Sequence, residues 1–139
     1  MKQASSQSSS TLKRSKIVII DDEALLAETL GCWLENDHDV SVFSDSVAAF
    51  SALKTMDRCD VIFCDLMMPK MNGMEIYKQL SKEGKGLEKR MVFMTGGAFI
   101  PSTIEFLEKV PNHQLEKPFT MQAVNSVIQV ILSEQARSR

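Results

Sequence analysis

The sequence predicts an α/β protein built on a doubly wound parallel sheet of five strands, and three observations predict it. Short apolar runs recur along the chain with segments of helical period between them. The runs are continuous rather than alternating, which suits strands covered on both faces. Each run closes on a polar residue before a helix begins, the pattern of repeated strand-helix units.

Residues 17–20 form the first run, ended by Asp21 and Asp22, and Leu26, Leu30, Trp33 and Leu34 then mark a helix over residues 23–35 that Asn36 and Asp37 close. Residues 39–43 read as the second strand, followed by a helix with Val47, Phe50 and Leu53 on its inner face. Residues 61–64 are a fully apolar third strand ending at Asp65, and Ile76, Tyr77 and Leu80 mark the next helix. Residues 91–94 give the fourth strand, ending at Thr95, Gly96 and Gly97. Ser102 and Glu105 have the spacing of a capping box, with Ile104, Leu107 and Val110 turned inward. The fifth strand falls at residues 113–116. Lys117, Pro118 and Phe119 then lead into a helix capped by Thr120, stapled by Phe119 and Val124, and lined by Val124, Val127, Ile128 and Ile131. Right-handed crossovers between such units lead to the flavodoxin-like strand order 2-1-3-4-5.

With 139 residues, 44% hydrophobic and 24% charged, the chain has room for one domain whose core needs no disulfide or metal. Residues 1–15 are Ser-rich with almost nothing to bury, the composition of a disordered tail or linker, and residues 16–135 hold the folded domain. A net charge of −2 offers no footprint for nucleic acid, and no apolar run reaches the roughly 20 residues that span a bilayer. The expected location is cytoplasmic, with nucleic acid and membrane excluded as partners of this chain. Cys32, Cys59 and Cys64 lack zinc-site spacing and read as reduced thiols; His38 and His113 are isolated.

All carboxyl ends of a parallel sheet lie on one edge, so the residues closing these runs meet whatever their separation in sequence. They are Asp21 and Asp22, Asp65, Thr95 and Lys117. Any one acid alone is an ordinary turn former or cap. Two or three together repel by several kcal/mol at about 4 Å, which a hard divalent cation offsets. Mg²⁺ suits such a half-built cage, because it binds one or two carboxylates and keeps positions for water and phosphate oxygens. Walker and dinucleotide glycine motifs are absent, and Asp21, Asp22 and Glu23 would repel a flavin phosphate at the first turn. A haloacid dehalogenase type of hydrolase needs a second acid two residues after the first, where this chain has Met67.

Residues 20–23 (IDDE), 63–73 (FCDLMMPKMNG), 94–97 (MTGG) and 115–119 (LEKPF) together resemble the receiver domain of two-component response regulators, of CheY-like fold, from about Lys16 to Ser133. The resemblance implies Asp65 as phospho-acceptor; an ionised aspartate attacks phosphorus without a general base. It implies Mg²⁺ as cofactor, held by Asp22 and Asp65 directly, by Asp21 through water, and by the backbone carbonyl of Met67. Lys117 and Thr95 match the lysine and switch hydroxyl that meet phosphoryl oxygens, and Lys117-Pro118 is similar to a bond that is usually cis. The implied donor is a phosphohistidine on a histidine kinase or phosphotransfer domain. The implied output is a downstream protein contacted through helix 4, strand 5 and helix 5.

Two departures stand out. Receivers usually carry Tyr or Phe three residues before the strand-five lysine; here the switch position is Gln114, which is not expected to act as a buried latch. The residues two beyond the acceptor and the switch threonine, Met67 and Gly97, cannot orient water by a side-chain hydrogen bond, so autodephosphorylation is not expected to be fast. Asn72 and Gly73 suggest a tight turn, and Phe99 and Ile100 a partner contact or loop packing. No output domain is expected after helix five in these 139 residues, and three origins stay open: a single-domain regulator, a relay shuttle, or the carboxy-terminal receiver of a hybrid histidine kinase, which the TGG turn and Ser-rich leader favour. Competing functional classes are a phospho-aspartate phosphatase and a receiver-like module that is never phosphorylated.

Overall fold

The computed structural model describes residues 14–97 and 100–138. Five parallel strands form one sheet: β1 (Lys16–Ile20), β2 (Asp39–Phe43), β3 (Val61–Asp65), β4 (Met91–Thr95) and β5 (Gln114–Glu116), in the order β2-β1-β3-β4-β5. Between and after them run α1 (Ala24–Leu34), α2 (Ser46–Thr55), α3 (Gly73–Glu83), α4 (Pro101–Lys109) and α5 (Met121–Ser138), with a 3₁₀ turn at Leu87–Arg90 before β4.

Alternation along the strands divides the core in two. Ile17, Ile19, Phe63, Val92, Met94 and Leu115 face α1 and α5, where Ala27, Leu30, Val124 and Ile128 meet them. Val18, Ile20, Ile62, Cys64 and Phe93 face α2, α3 and α4. Both faces of β1, β3 and β4 are covered, which is why residues 17–20, 61–64 and 91–94 are apolar without alternation. Each fully buried side chain of the size of Ile62 or Phe63 contributes about 2 kcal/mol of hydrophobic stabilisation.

Helix starts differ from the sequence expectation at two places. α4 begins at Pro101, with Ile100 at the N-cap and no side-chain cap bond, so Ser102 lies inside the first turn rather than capping it. Proline at the first helical position has no N–H to leave unpaired and a preset φ, and it starts the helix two residues early. Thr103 is then buried with Leu107, and Ile104 is exposed. Asn72 and Gly73 open α3 instead of forming a tight turn: Asn72 accepts from the Glu75 N–H at 2.9 Å and the Glu75 carboxylate accepts from the Asn72 N–H at 2.8 Å. A Cβ on Gly73 would meet the Asp65 carbonyl oxygen at 2.9 Å, so only glycine lets α3 start this close to the end of β3. The Thr120 cap is present, its hydroxyl accepting from the Ala123 N–H at 3.0 Å.

The inner stripes of α1 and α2 also differ. Gly31 packs where a Cβ would lie 2.8 Å from Val42, so α1 turns Ala27, Leu30, Gly31 and Leu34 inward and leaves Trp33 43% exposed. On α2 the small residues Ser46 and Ala49 share the buried face with Leu53, and Val47 points to solvent.

Arg14 and Ser15, placed by composition in the tail, are tied to the body. The Arg14 guanidinium donates to the carbonyl oxygens of Glu35, Asn36 and His38 at 2.6–2.9 Å, and the Ser15 carbonyl accepts from the Asp39 N–H at 2.9 Å. The rest of the Ser-rich leader, and Phe99, lie outside the described residues.

Candidate functional site

The carboxyl ends of β1, β3 and β4 and the segment after β5 surround an open recess of about 480 Å³ lined by Glu23, Leu26, Asp65, Met67, Gly96, Lys117 and Pro118. Asp21 follows β1 directly and is fully buried; its N–H donates to the Phe43 carbonyl at 3.1 Å and its Oδ1 accepts from the Glu23 N–H at 2.9 Å. Asp65 is the last residue of β3 and opens to solvent by only 10% of its side chain. Asp22 is exposed beside them, and carboxylate oxygens of Asp21, Asp22 and Asp65 all lie within 4.8 Å of one another. Three hard oxygen donors at this spacing suit a small divalent cation, with no nitrogen or sulfur donor in the group to favour zinc.

Lys117 reaches this cluster from the far side of the sheet. Its N–H donates to the Thr95 carbonyl at 2.8 Å, the Lys117-Pro118 peptide is cis, and the side chain enters the recess with 13% exposure. The ammonium nitrogen stands 2.8 Å from Asp21 Oδ2, 2.9 Å from Glu23 Oε1 and 3.6 Å from Asp65 Oδ2.

These contacts set the protonation chemistry. Burial, followed by the charge of Asp21, pushes the Asp65 carboxyl up to about 7 against the opposing pull of Lys117 and of the Met67 N–H. Burial acts to lower the Lys117 pKa, but its hydrogen bonds to Asp21 and Glu23 and the charges of Asp65 and Asp21 outweigh this, so the ammonium keeps its proton. Glu23 is held below the usual carboxylate range by its hydrogen bond to Lys117. The Asp65 carboxylate is thus the group of the site whose charge is most disfavoured, and a bound cation would offset that cost.

Of the residues singled out by sequence, Asp21, Asp22, Asp65 and Lys117 come together. Thr95 is buried at the end of β4, next to Gly96 on the recess wall. Met67 lines the recess with its side chain turned toward α4, where its sulfur accepts a long contact of 3.8 Å from the Thr103 hydroxyl. Gln114 stands apart. It is exposed on the α4 side of β5 beside Ile104, Leu107 and Glu108, while His113 lies on the opposite side, 3.3 Å from Glu134 of α5.

One contributor was missed. Glu23 appears in sequence only as a third acid after Asp21 and Asp22, yet it contacts Lys117, 94 residues away. Strand order gives little hint, since β5 is separated from β1 by two strands. The hint is instead that α1 and α5 cover the same face of the sheet, which brings the Lys117-Pro118-Phe119 segment back alongside the start of α1.

The fold is that of signal-receiver domains. It superposes on a CheY-like response regulator receiver domain protein from Methanospirillum hungatei with a TM-score of 0.80 at 19% identity, covering 91% of this chain and 100% of that one. A receiver domain protein from Clostridium thermocellum gives 0.79 at 24% identity, covering 90% and 99%. In sequence, the chain is 28% identical over 124 residues to the transcriptional regulatory protein BtsR of Salmonella typhi, covering 88% of this chain and 50% of that protein. It is 26% identical over 118 residues to the response regulator MprA of Mycobacterium tuberculosis, covering 84% and 50%. The chain therefore spans about half the length of these curated relatives. The family model of the response regulator receiver domain matches residues 17–129, and the chain belongs to that family: it is a receiver domain of two-component signalling. Receiver domains bind Mg²⁺ at an acidic aspartate cluster, and Asp21, Asp22 and Asp65 form such a cluster here. No helix among the described residues is long and apolar enough to cross a membrane.

Proposed function

We propose that Asp65 accepts a phosphoryl group from a phosphohistidine on a histidine kinase or phosphotransfer domain, and that the resulting shift regulates a protein partner or a parent kinase. The observation that carries this reading is the position of Asp65: at the end of β3, beside Asp21 and Asp22, within 3.6 Å of the Lys117 ammonium, and open to a recess. In the step, an Asp65 Oδ–P bond forms as the imidazole N–P bond breaks, and the imidazole nitrogen leaves with the electron pair. Asp21, Asp22, Asp65 and the Met67 carbonyl would hold Mg²⁺, which when bound screens the carboxylates from the incoming phosphoryl group and from one another. Lys117 neutralises a phosphoryl oxygen, and Thr95 donates its hydroxyl to another. Phosphoryl transfer asks little more of a protein than this positioning and charge compensation.

An apolar groove of about 420 Å³ runs from the recess between α1 and the segment after β5, lined by Leu25, Leu26, Leu30, Trp33, Pro118 and Phe119. It shares Glu23, Leu26 and Pro118 with the recess, which favours it as the seat of the histidine-bearing partner. The face of α4, β5 and α5 is left for the downstream target, with Ile104 exposed on it. Hybrid-kinase origin accords with the Ser-rich leader; flanking gene sequence tests it.

Mg²⁺-dependent labelling of the wild type and Asp65→Asn by acetyl phosphate tests the assignment. Label that requires Mg²⁺ and Asp65, in a single round, supports it; label that persists in Asp65→Asn overturns it. Sustained turnover of a phosphoester would instead favour a phosphatase. With Met67 and Gly97 unable to orient water, the label should outlast seconds at neutral pH.

A further inference from the structure

Lys117 is the one cation in contact with the Asp65 carboxylate among the described residues, and its ammonium stands nearest to Asp21 at 2.8 Å and Glu23 at 2.9 Å, with Asp65 farther off at 3.6 Å, beyond hydrogen-bond reach. To donate to a phosphoryl oxygen arriving on Asp65, the ammonium has to move toward Asp65 and so away from one of its two nearer partners. Asp21 is fully buried and fixed by backbone bonds on both sides, so it does not yield readily. Asp65 is the group being modified. Glu23 remains: its side chain is 63% exposed, it rotates freely into water, and it makes no capping bond to α1 although it sits at the N-cap. Its contact with Lys117 is shorter than that of Asp65 by 0.7 Å, the difference between 3.6 and 2.9 Å.

We infer that Glu23 is a positioning residue that holds the Lys117 ammonium in reserve, away from Asp65, and that release of this contact is part of the work of phosphorylation. The inference rests on the reading of Asp65 as phospho-acceptor. Glu23 touches neither Asp65 nor the incoming group; it acts by competing with a phosphoryl oxygen for the same donor. Its removal leaves Lys117 free to turn toward Asp65, so both phosphorylation by a small donor and binding of a phosphoryl mimic improve. Because the Glu23 carboxylate is largely exposed and screened by water, the gain is modest, about two- to fivefold.

The test compares wild type, Glu23→Gln, Glu23→Asp and Asp65→Asn at saturating Mg²⁺. Initial labelling rate is measured with acetyl phosphate, in which the acetyl O–P bond breaks, an Asp65 Oδ–P bond forms and acetate leaves. Beryllofluoride affinity is read from Trp33 fluorescence, and thermal melts confirm that each variant is folded. Glu23→Gln should label about two- to fivefold faster and bind beryllofluoride more tightly by a similar factor. Glu23→Asp keeps the charge but is one methylene too short to keep the contact, and should behave like Glu23→Gln. The Glu23→Gln gain should vanish in a Lys117→Ala background. An unchanged or slower rate in Glu23→Gln overturns the inference. So does a gain that persists without Lys117, or a Glu23→Asp variant that behaves like wild type, since both would mean that Glu23 merely repels an anionic donor. Absence of Asp65-dependent label in the wild type would overturn the phospho-acceptor reading itself, a result distinct from label that is present but insensitive to Glu23.

Discussion

Two buried aspartates bracket the same strand, and their surroundings are opposite. Asp60 precedes β3 at the amino rim of the sheet. Its carboxylate accepts from the Lys16 N–H at 2.7 Å and from the Arg58 guanidinium at 3.0 Å, and its carbonyl accepts from the buried Gln135 amide at 2.7 Å. Burial alone would raise its pKa, but Arg58 and the Lys16 N–H outweigh this and hold it below the usual range. Asp65, five residues on at the carboxyl rim, faces a second buried carboxylate, shares its cation with two other acids, and is pushed up to about 7. At the amino rim the Asp60 carboxylate and carbonyl are satisfied within the chain. The carboxyl rim gathers three carboxylates around one ammonium, and burial together with this crowding raises the Asp65 pKa.

The contrast can be broken from either side. The largest effect is expected from Asp65→Asn: loss of labelling by at least about 100-fold, together with a rise in the melting temperature of the metal-free protein by several degrees, since the amide does not carry the buried charge. Calorimetry beside the labelling assay checks both halves, and a variant that labels poorly and melts lower would put Asp65 in the structural class with Asp60. Next in size, Asp60→Ala should cost about 2–3 kcal/mol, roughly 10 °C in melting temperature, by leaving the Lys16 N–H unpaired in a buried place. Its labelling rate per folded molecule should stay within about twofold, Asp60 being at the far rim; a larger loss would contradict the division of labour.

Titration sharpens the comparison further. The unfolded chain releases the Asp65 proton near pH 4, whereas the folded chain keeps it to about 7, so the folded state loses stability as pH rises across that window. Asp60, with its pKa lowered, works in the other sense, and its contribution is lost only as pH falls below about 4. The metal-free protein should therefore melt progressively lower between about pH 5 and 7, and Asp65→Asn or saturating Mg²⁺ should flatten that slope. The smallest effect is local: Asn72→Ala removes one half of the box that opens α3 and should cost about 1 kcal/mol in a denaturant melt.

The strands and the rim acids were legible because both depend on short-range pattern: a run such as residues 61–65 has one environment available to it, and parallel topology gathers the strand ends automatically. The misplaced positions have a common cause. Trp33, Val47 and Ile104 are large apolar residues that helical period places near the buried stripe, but the smaller Gly31, Ala49 and Thr103 occupy the buried positions, at Gly31 because a Cβ would lie 2.8 Å from Val42, and the larger ones are left exposed. Asn72 and Glu75 do carry a capping-box spacing that a turn assignment overlooked. Glu23 was the harder case, because its role comes from the path of the chain after β5, which no local signal records.

The three thiols of this chain occupy unequal positions. Cys59 is buried and its thiol is pushed up to about 12 by burial and by Asp60, and Cys64, fully enclosed beneath Asp65, is raised further by burial and by the adjacent acids. Neither offers a thiolate to an alkylating reagent while the domain is folded. Cys32 is exposed on α1, adjacent in sequence to Trp33 on the wall of the apolar groove. A maleimide fluorophore should therefore attach at a single place on the unaltered chain, turning the native protein into its own optical sensor for whatever settles along that helix.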